Sequence, residues 1–289
     1  MRFSVVIPTY ERPEPLRRCL EGFTRLDHPS WELLVVNDGG ESSFASVDDA
    51  LRARLPLTTI DAPHGGPAAA RNAGARAGRG EFHAFTDDDS IPEPDWLKQL
   101  ERGFARENAA ALGGAAINPY PESIPAVTWE LYLDFLREYF QDVSGNGLML
   151  PSNNLAYRRD AFWSLGGFDE TFPLAAAEDV DLAYRAVGAG LRQRYVDDAR
   201  VWHHHRSTPR GYLRQQFRYG RGSFDLRRRR YAVQGIPRRP GEFYWRLAQF
   251  LRRRRAPLGV WALVSLTPFA HRAGIISQTL RYRRTVRDS

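Results

Sequence analysis

One cysteine, Cys19, occurs in 289 residues, so neither a disulfide framework nor a cysteine-based zinc cluster is available to this chain. Lysine is almost absent too, with Lys98 standing alone beside 40 arginines. An arginine-leaning coding bias accounts for that ratio but not for where the arginines fall. Long apolar runs are missing as well. A long uncharged stretch, 256–270, has 15 residues and carries Pro257 and Pro268. A spanning helix needs about 18 to 20 apolar residues, so this stretch reads as an interfacial or core helix. No secretory leader is visible, because Met1 and Arg2 run directly into a strand-like segment at 3–7 that is too short for its apolar region. The expectation is therefore a cytoplasmic protein. A mean hydropathy of −0.48 excludes a polytopic membrane protein, and 43% hydrophobic with 12% aromatic residues excludes a wholly disordered one.

What is present is charge, and it is segregated. The net charge of +7 conceals 21 arginines against three acids in residues 206–289 and 20 basic residues against 31 acids in residues 1–205. The balances are +18 and −11. Such a chain reads as an acidic body that handles a cation or a chemical task, followed by a basic tail that faces something anionic. The length also suits one domain with an appended segment. We therefore expect an α/β domain over 1–205 and a basic helical segment over 206–289.

The first half alternates short apolar runs with longer polar-apolar stretches, as in a mostly parallel sheet flanked by helices. The pattern predicts strands at 3–8, 32–37, 57–61, 81–86 and 111–117. It predicts helices at 13–25, 66–79 and 94–107, each with Pro or Gly near its start. Several strands end in polar residues (Thr9 and Tyr10, Asn37 and Asp38, Asp87 to Asp89), and in open parallel sheets ligands bind beyond those ends. Further helices are predicted at 124–139 and 178–188 and from Pro209 onward, with breaks near 235–240 and at Pro257. In the first of these, Trp129, Tyr132, Phe135 and Tyr139 share a face that reads as packing.

Thr86-Asp-Asp-Asp-Ser90 follows an apolar strand. Three adjacent carboxylates repel one another unless a cation or a hydrogen-bond network compensates, and oxygen ligands suit a hard ion such as Mg²⁺ or Mn²⁺. The alternative is an acidic turn before the next helix. Val35-Val-Asn-Asp-Gly39 has the same strand-then-acid form and reads either as a base or ribose contact or as a turn. Gly65-Gly-Pro-Ala-Ala-Ala-Arg-Asn-Ala-Gly74 is a small-residue helix whose one arginine, Arg71, can lie against a phosphate or against the sheet. Trp202-His-His-His205 ends a short strand; its imidazoles offer a further metal ligand or a donor to a diphosphate, and alternation places His203 and His205 on one face.

In combination these elements are specific. Ser4-Val-Val-Ile-Pro-Thr-Tyr10, Val35-Val-Asn-Asp-Gly39, Ala70-Arg-Asn-Ala-Gly74, Phe85-Thr-Asp-Asp-Asp89, Gly166-Gly-Phe-Asp-Glu170 and Glu178-Asp-Val-Asp-Leu182 occur in this order. The chain thereby resembles the family 2 glycosyltransferases of GT-A fold over roughly residues 3–205. The resemblance implies an inverting transfer of sugar from a nucleotide-diphosphate-sugar donor, a UDP-sugar first among candidates, to a sugar or lipid-linked acceptor in cell-surface polysaccharide or glycolipid synthesis. It implies nucleotide contacts from Pro8, Thr9, Tyr10, Asp38, Arg71, Asp87 and Asp88. It also implies a Mn²⁺ or Mg²⁺ ion held by Asp89 and Asp87, with His203 or His205 as a further ligand. Asp179 matches the catalytic base, and Glu178 orients the base or the acceptor. Asn37 departs from the commoner Asp, which leaves the nucleoside preference open. Gln215-Gln-Phe-Arg-Tyr219 is similar to the Gln-x-x-Arg-Trp element of processive synthases, with Tyr219 for Trp, and marks Gln215, Arg218 and Tyr219 as diphosphate or lid residues.

The arginine clusters at 227–230 and 252–255 flank Tyr244, Trp245 and an apolar run, a mixture suited to an anionic bilayer surface on the cytoplasmic side. A mobile donor lid and, least favoured, a nucleic-acid surface are the other readings of the tail. A sugar nucleotidyltransferase would need a glycine-rich basic loop after the first strand, where Pro8-Thr-Tyr-Glu-Arg-Pro13 stands instead. A non-catalytic binding protein is opposed by the intact acids.

Overall fold

The computed structural model describes the chain apart from residues 42–43, 46, 141–148, 173–175, 205–207, 230–239 and 288–289. The five predicted strands form as β1 (Phe3–Thr9), β2 (Trp31–Asp38), β3 (Leu57–Ala62), β4 (Phe82–Thr86) and β6 (Ala111–Ile117), with a short β5 (Ser90–Pro92) between the last two. All seven residues of β1 are buried, as a central parallel strand covered on both faces requires. Helices α1 (Pro13–Phe23), α2 (Asp49–Arg54), α3 (Gly66–Ala77) and α4 (Trp96–Glu107) connect them. Then follow α5 (Ile124–Tyr139), β7 (Asn154–Arg158), α6 (Arg159–Ser164), α7 (Glu178–Gly188) and β8 (Gln193–His203). Beyond residue 205 the described chain is helical: α8 (Pro209–Arg228), α9 (Pro240–Arg253) and α10 (Leu258–Arg287).

The sheet has eight strands in the order β3-β2-β1-β4-β7-β6-β8-β5. Neighbours β3, β2, β1 and β4 are parallel, and so are β6 and β8. The fold class is the expected α/β sheet, but β7 lies antiparallel between β4 and β6, and β5 pairs antiparallel with β8. Thr9 pairs with Asn37 at the matched ends of β1 and β2, which brings the polar termini of the parallel strands to one edge.

Two apolar layers sandwich the sheet. On one face Leu16, Leu20, Trp96, Leu100 and Phe104 pack on Val5, Ile7, Leu33 and Val35. On the other, Ala70, Phe162, Phe168 and Leu182 pack on Val6, Val36 and Phe85. The small residues of α3 are a packing requirement: a Cβ on Gly74 would fall 2.4 Å from Val6 Cγ1. A third cluster joins α5 to the tail through Phe135, Leu247, Phe250, Leu251, Val260 and Val264.

Helices α8 and α10 run side by side in the same direction, since Tyr212 bonds Thr267, Arg221 bonds Gln278 and Arg228 lies over Tyr282. Their backbones approach so closely that a Cβ on Gly220 would meet His271 O at 1.9 Å and one on Gly274 would meet Phe217 O at 2.0 Å. The predicted apolar stretch at 256–270 forms the start of α10. There Val260 is buried, while Leu258 and Phe269 are 87% and 74% exposed. Among the described residues no helix is long and apolar enough to cross a membrane.

Candidate active site

Strand ends supply the first residues. Thr9 closes β1 and donates its hydroxyl to Asp88 Oδ2 at 2.8 Å, and buried Pro8 sets that end of the strand against Val36. Tyr10 projects outward, 48% exposed, with its ring 4.7 Å from that of His64. At the end of β2, Asp38 is buried and accepts hydrogen bonds from the Gly65 and Gly66 amides that open α3. Asn37 holds its own turn by accepting from the Gly40 amide and donating to Asp61.

The three acids after β4 point in different directions, and each has a cation beside it. Asp87 is half-buried and takes Arg71 at 2.8 Å. Asp88 turns back toward β1, where Arg12 meets it at 2.6 Å, and burial pushes its carboxyl up to about 7 against the pull of Arg12. Asp89 is buried between Arg12 at 2.7 Å and His203 Nε2 at 3.3 Å. Burial opposes its ionisation, but His203 and Arg12 together hold it well below the usual carboxylate range. His203 answers in kind: burial lowers its basicity, Asp89 raises it, and the net shift is upward.

Arg71 is buried and links Asp87 to Glu178, 3.1 Å from its other side. Glu178 Oε2 is buried without a hydrogen-bond partner, and burial next to Asp179 pushes this carboxyl up to about 7. Asp179 accepts from the Ser152 and Val180 amides at 3.2 and 2.8 Å. Burial raises its pKa while Arg71 restrains the rise. Just before them Ala177 takes a left-handed conformation, φ +80°, an uncommon choice for a residue with a Cβ that turns the chain sharply into α7.

Asp87, Asp179 and His203 face one cavity of about 740 Å³, whose other walls come from α5, α8, α9 and α10. The carboxylate oxygens of Asp87 and Asp89 and a ring nitrogen of His203 lie within 4.8 Å of one another. Asp89 Oδ1 is buried without a hydrogen bond of good geometry. Two carboxylates and one imidazole form a donor set that fits Mn²⁺ or Mg²⁺. His205 lies outside the described residues.

On α8, Tyr219 stacks on Trp129 with ring centroids 5.4 Å apart and 14° between planes. Tyr219 and Gln216 line the cavity, whereas Gln215 reaches it only through a bond to Tyr219, and Arg218 is exposed. The aromatic face of α5 divides its work. Phe135 and Tyr139 pack in the third core cluster, yet Trp129, Tyr132 and Tyr139 also line the cavity, so packing is only part of their role. The sequence does not mark Arg12 or Ser152 as site residues, it presents Trp129 only as packing, and within Gln215-Gln-Phe-Arg-Tyr219 it points to Gln215 rather than Gln216. Arg12 carried one signal, its place in the loop after the first strand, and nothing distinguished it from the many other arginines.

Comparison with known proteins agrees with this architecture. The profile of the family described as Glycosyltransferase like family 2 matches residues 1–222. A pre-mycofactocin glycosyltransferase of Mycobacterium tuberculosis is 32% identical over 222 residues, which are 75% of this chain and 46% of that protein. The chain therefore spans about half the length of that relative. Glycosyltransferase AglE of Haloferax volcanii is 27% identical over 275 residues, 92% of this chain and 81% of the relative. Among solved structures, the mannosyltransferase PcManGT from Pyrobaculum calidifontis in complex with GDP-Man and Mn²⁺ aligns with a TM-score of 0.64 at 19% identity, covering 97% of this chain and 84% of that one. S. aureus TarS 1-349 in complex with UDP-GlcNAc aligns at 0.59 and 19% identity, covering 88% and 72%. The structural likenesses establish the shared GT-A fold. The profile match over residues 1–222 goes further, and on it the chain belongs to the glycosyltransferase like family 2.

Proposed function

We propose that the protein is a metal-dependent, inverting glycosyltransferase that moves a sugar from a nucleotide-diphosphate-sugar donor to an acceptor hydroxyl in cell-surface polysaccharide or glycolipid synthesis. The observation that carries this reading is the convergence of Asp87, Asp89 and His203 on one side of a cavity that Asp179 also faces. A divalent cation bound by the first three would offset the negative charge that gathers on a departing diphosphate. Thr9, Asp38 and the exposed Tyr10 and His64 rings stand at the strand ends where a nucleoside binds in open parallel sheets. Arg71 fixes Asp87 and Glu178 relative to each other and brings positive charge to the site. Asp179, open to the cavity, accepts the proton of the attacking hydroxyl. One base and one direct displacement invert the anomeric centre.

UDP-sugars are the first donors to test, and GDP-sugars the second. Asp179→Asn should keep nucleotide-diphosphate affinity within about twofold while transfer falls about 10²- to 10⁴-fold. Calorimetry with UDP and GDP, with Mn²⁺ and after chelation, reads the metal requirement. Unchanged nucleotide binding in Asp89→Ala, or near-normal turnover in Asp179→Asn, removes the corresponding residue from this scheme. Exposed Trp245 and Leu258, which flank the arginines at 252–255 in the chain, and exposed Phe269 farther along α10 support a peripheral position on the cytoplasmic face of a membrane.

A further inference from the structure

We infer that Asn153 sets the tautomer of His203 and so governs whether that imidazole can serve as a metal ligand. Its amide donates to Nδ1 in the free protein and turns over to accept from an Nδ1–H when Nε2 becomes the ligating atom. Asn153 is then a positioning residue, and the inference rests on the metal-dependent reading above.

Strand pairing brings the two side chains together. Asn153 immediately precedes β7, whose first residue, Asn154, pairs with Thr86 at the end of β4. The Thr86 hydroxyl donates to Asn153 O at 2.8 Å and holds that backbone beside the acid run. His203 ends β8 opposite Ser90 of β5, and Asp89 O accepts from the His204 amide at 2.8 Å, which ties the histidine strand to the same acids. The imidazole therefore sits between two partners. Its Nε2 lies 3.3 Å from Asp89 Oδ1, and its Nδ1 faces Asn153 Nδ2 at 3.4 Å. A neutral imidazole carries one N–H. With the proton on Nε2 it donates to the Asp89 carboxylate and leaves Nδ1 to accept from the Asn153 amide, so both contacts are matched. Serving as a ligand through Nε2 requires the other tautomer, because the ligating nitrogen must be bare and the proton then resides on Nδ1. The Asn153 NH₂ group would now oppose a second donor. An asparagine carries donor and acceptor on one planar group, so half a turn about χ2 presents Oδ1 to Nδ1–H instead. Two features ease that turn. The existing contact is long for a hydrogen bond, so little is given up, and a cavity of about 30 Å³ adjoins both side chains. Asn153 is 6% exposed, which leaves bulk water poorly placed to do the same work. Its neighbour Asn154 is committed elsewhere: its NH₂ donates to Ala115 O and Ala199 O, and its Oδ1 accepts from Trp96 Nε1.

Calorimetry of the full-length protein with Mn²⁺ alone, in the absence of donor, tests the role. Asn153→Leu keeps the branched shape and loses both polar functions, so its dissociation constant for Mn²⁺ should rise about 10- to 100-fold. Asn153→Asp keeps an acceptor for Nδ1–H and should bind Mn²⁺ within about threefold of the unaltered protein, or more tightly. A packing role alone predicts the reverse order, since Leu preserves the shape and Asp buries a charge. The added charge of Asp attracts the ion by itself, so the tautomer is read separately. With ¹⁵N-labelled histidine, two-bond ¹H–¹⁵N spectra of the unaltered protein should place the proton of neutral His203 on Nε2 in the free form. Once diamagnetic Zn²⁺ takes the place of Mn²⁺, they should place it on Nδ1. These spectra decide the matter even where a variant does not fold. A free protein whose neutral His203 carries its proton on Nδ1 overturns the inference, and so does an Asn153→Leu variant that binds Mn²⁺ as the unaltered chain does. Absence of Mn²⁺ binding by the unaltered protein is a different failure: it removes the metal site of the proposed function and the role of Asn153 with it, whereas equal binding by all three proteins removes Asn153 alone.

Discussion

Arg12 holds Asp88 and Asp89 at 2.6 and 2.7 Å and so supplies the positive charge that these buried acids require in the free protein. A divalent ion that takes Asp89 relieves Arg12 of part of that role. In Arg12→Ala the free protein should lose stability by about 1–3 kcal/mol, and saturating Mn²⁺ should restore more of it than the same Mn²⁺ adds to the unaltered chain. Equal metal-induced shifts in melting temperature for the two proteins would show that Arg12 and the ion do not share Asp89. His83 poses the opposite problem, a buried imidazole with no partner for either nitrogen. Burial, aided by Arg159, lowers its pKa to about 4. Between about 6.5 and 4 the unfolded chain binds a proton that the native state refuses, so stability falls as pH drops through that window, by ~3 kcal/mol in full. Thermal unfolding of His83→Phe, whose ring suits neighbours Phe85 and Phe162, should show a shallower acid-side loss. The same pH slope in both proteins would clear His83 of that role. Single residues were the hardest features to read from sequence. The acid run at 87–89 announced a charged site, but which acid met which arginine depended on contacts such as Arg12 to Asp88, 76 positions apart.

At the scale of elements, apolar periodicity and strand-end chemistry made β1, β2, β3, β4 and β6 legible. Strand β7 was not, because its five residues lie in a segment without helical or strand periodicity and its pairing with β4 and β6 is wholly long-range. Strand β5, three residues ending in Pro92, was equally silent. The tail helices were visible, but their mutual packing was not. Gly220 and Gly274 sit inside these long helices, each at a near-contact between backbones. Gly220→Ala should therefore destabilise the protein by about 1–3 kcal/mol, since a backbone carbonyl cannot rotate out of the way of a methyl group. Gly188→Ala, at the end of α7 with nothing within 4 Å of the added carbon, should be neutral or stabilising by up to about 1 kcal/mol. Denaturant melts of the pair compare the two directly, and equal effects would mean that α8 and α10 are free to separate.

For the molecule as a whole, the segregation of sign takes on a second meaning. Tail arginines reach acids of the body: Arg229 meets Asp169 at 2.5 Å and Asp181 at 3.3 Å, Arg253 meets Glu138 at 3.1 Å, and Arg254 meets Asp134 at 3.3 Å. Part of the +18 excess therefore fastens tail to body, while Arg252 and Arg255 stand exposed. Co-sedimentation with phosphatidylglycerol vesicles should decline steeply as salt rises from 50 to about 300 mM, the range over which exposed charges become screened. Binding that is indifferent to salt, or absent, would leave the exposed arginines without that partner. The matched family region runs to residue 222, inside α8, where Gly222 abuts Ala176.

The cavity walls belong partly to the sheet domain and partly to α8, α9 and α10. A molecule that fills it touches both halves at once and so acts as a thermodynamic clamp. Its binding energy adds to the cohesion between the halves, and any motion that parts them must first release it. Occupancy of the cavity and tail docking are then two readings of one equilibrium, and whatever loosens the junction weakens the bound molecule by the same free energy.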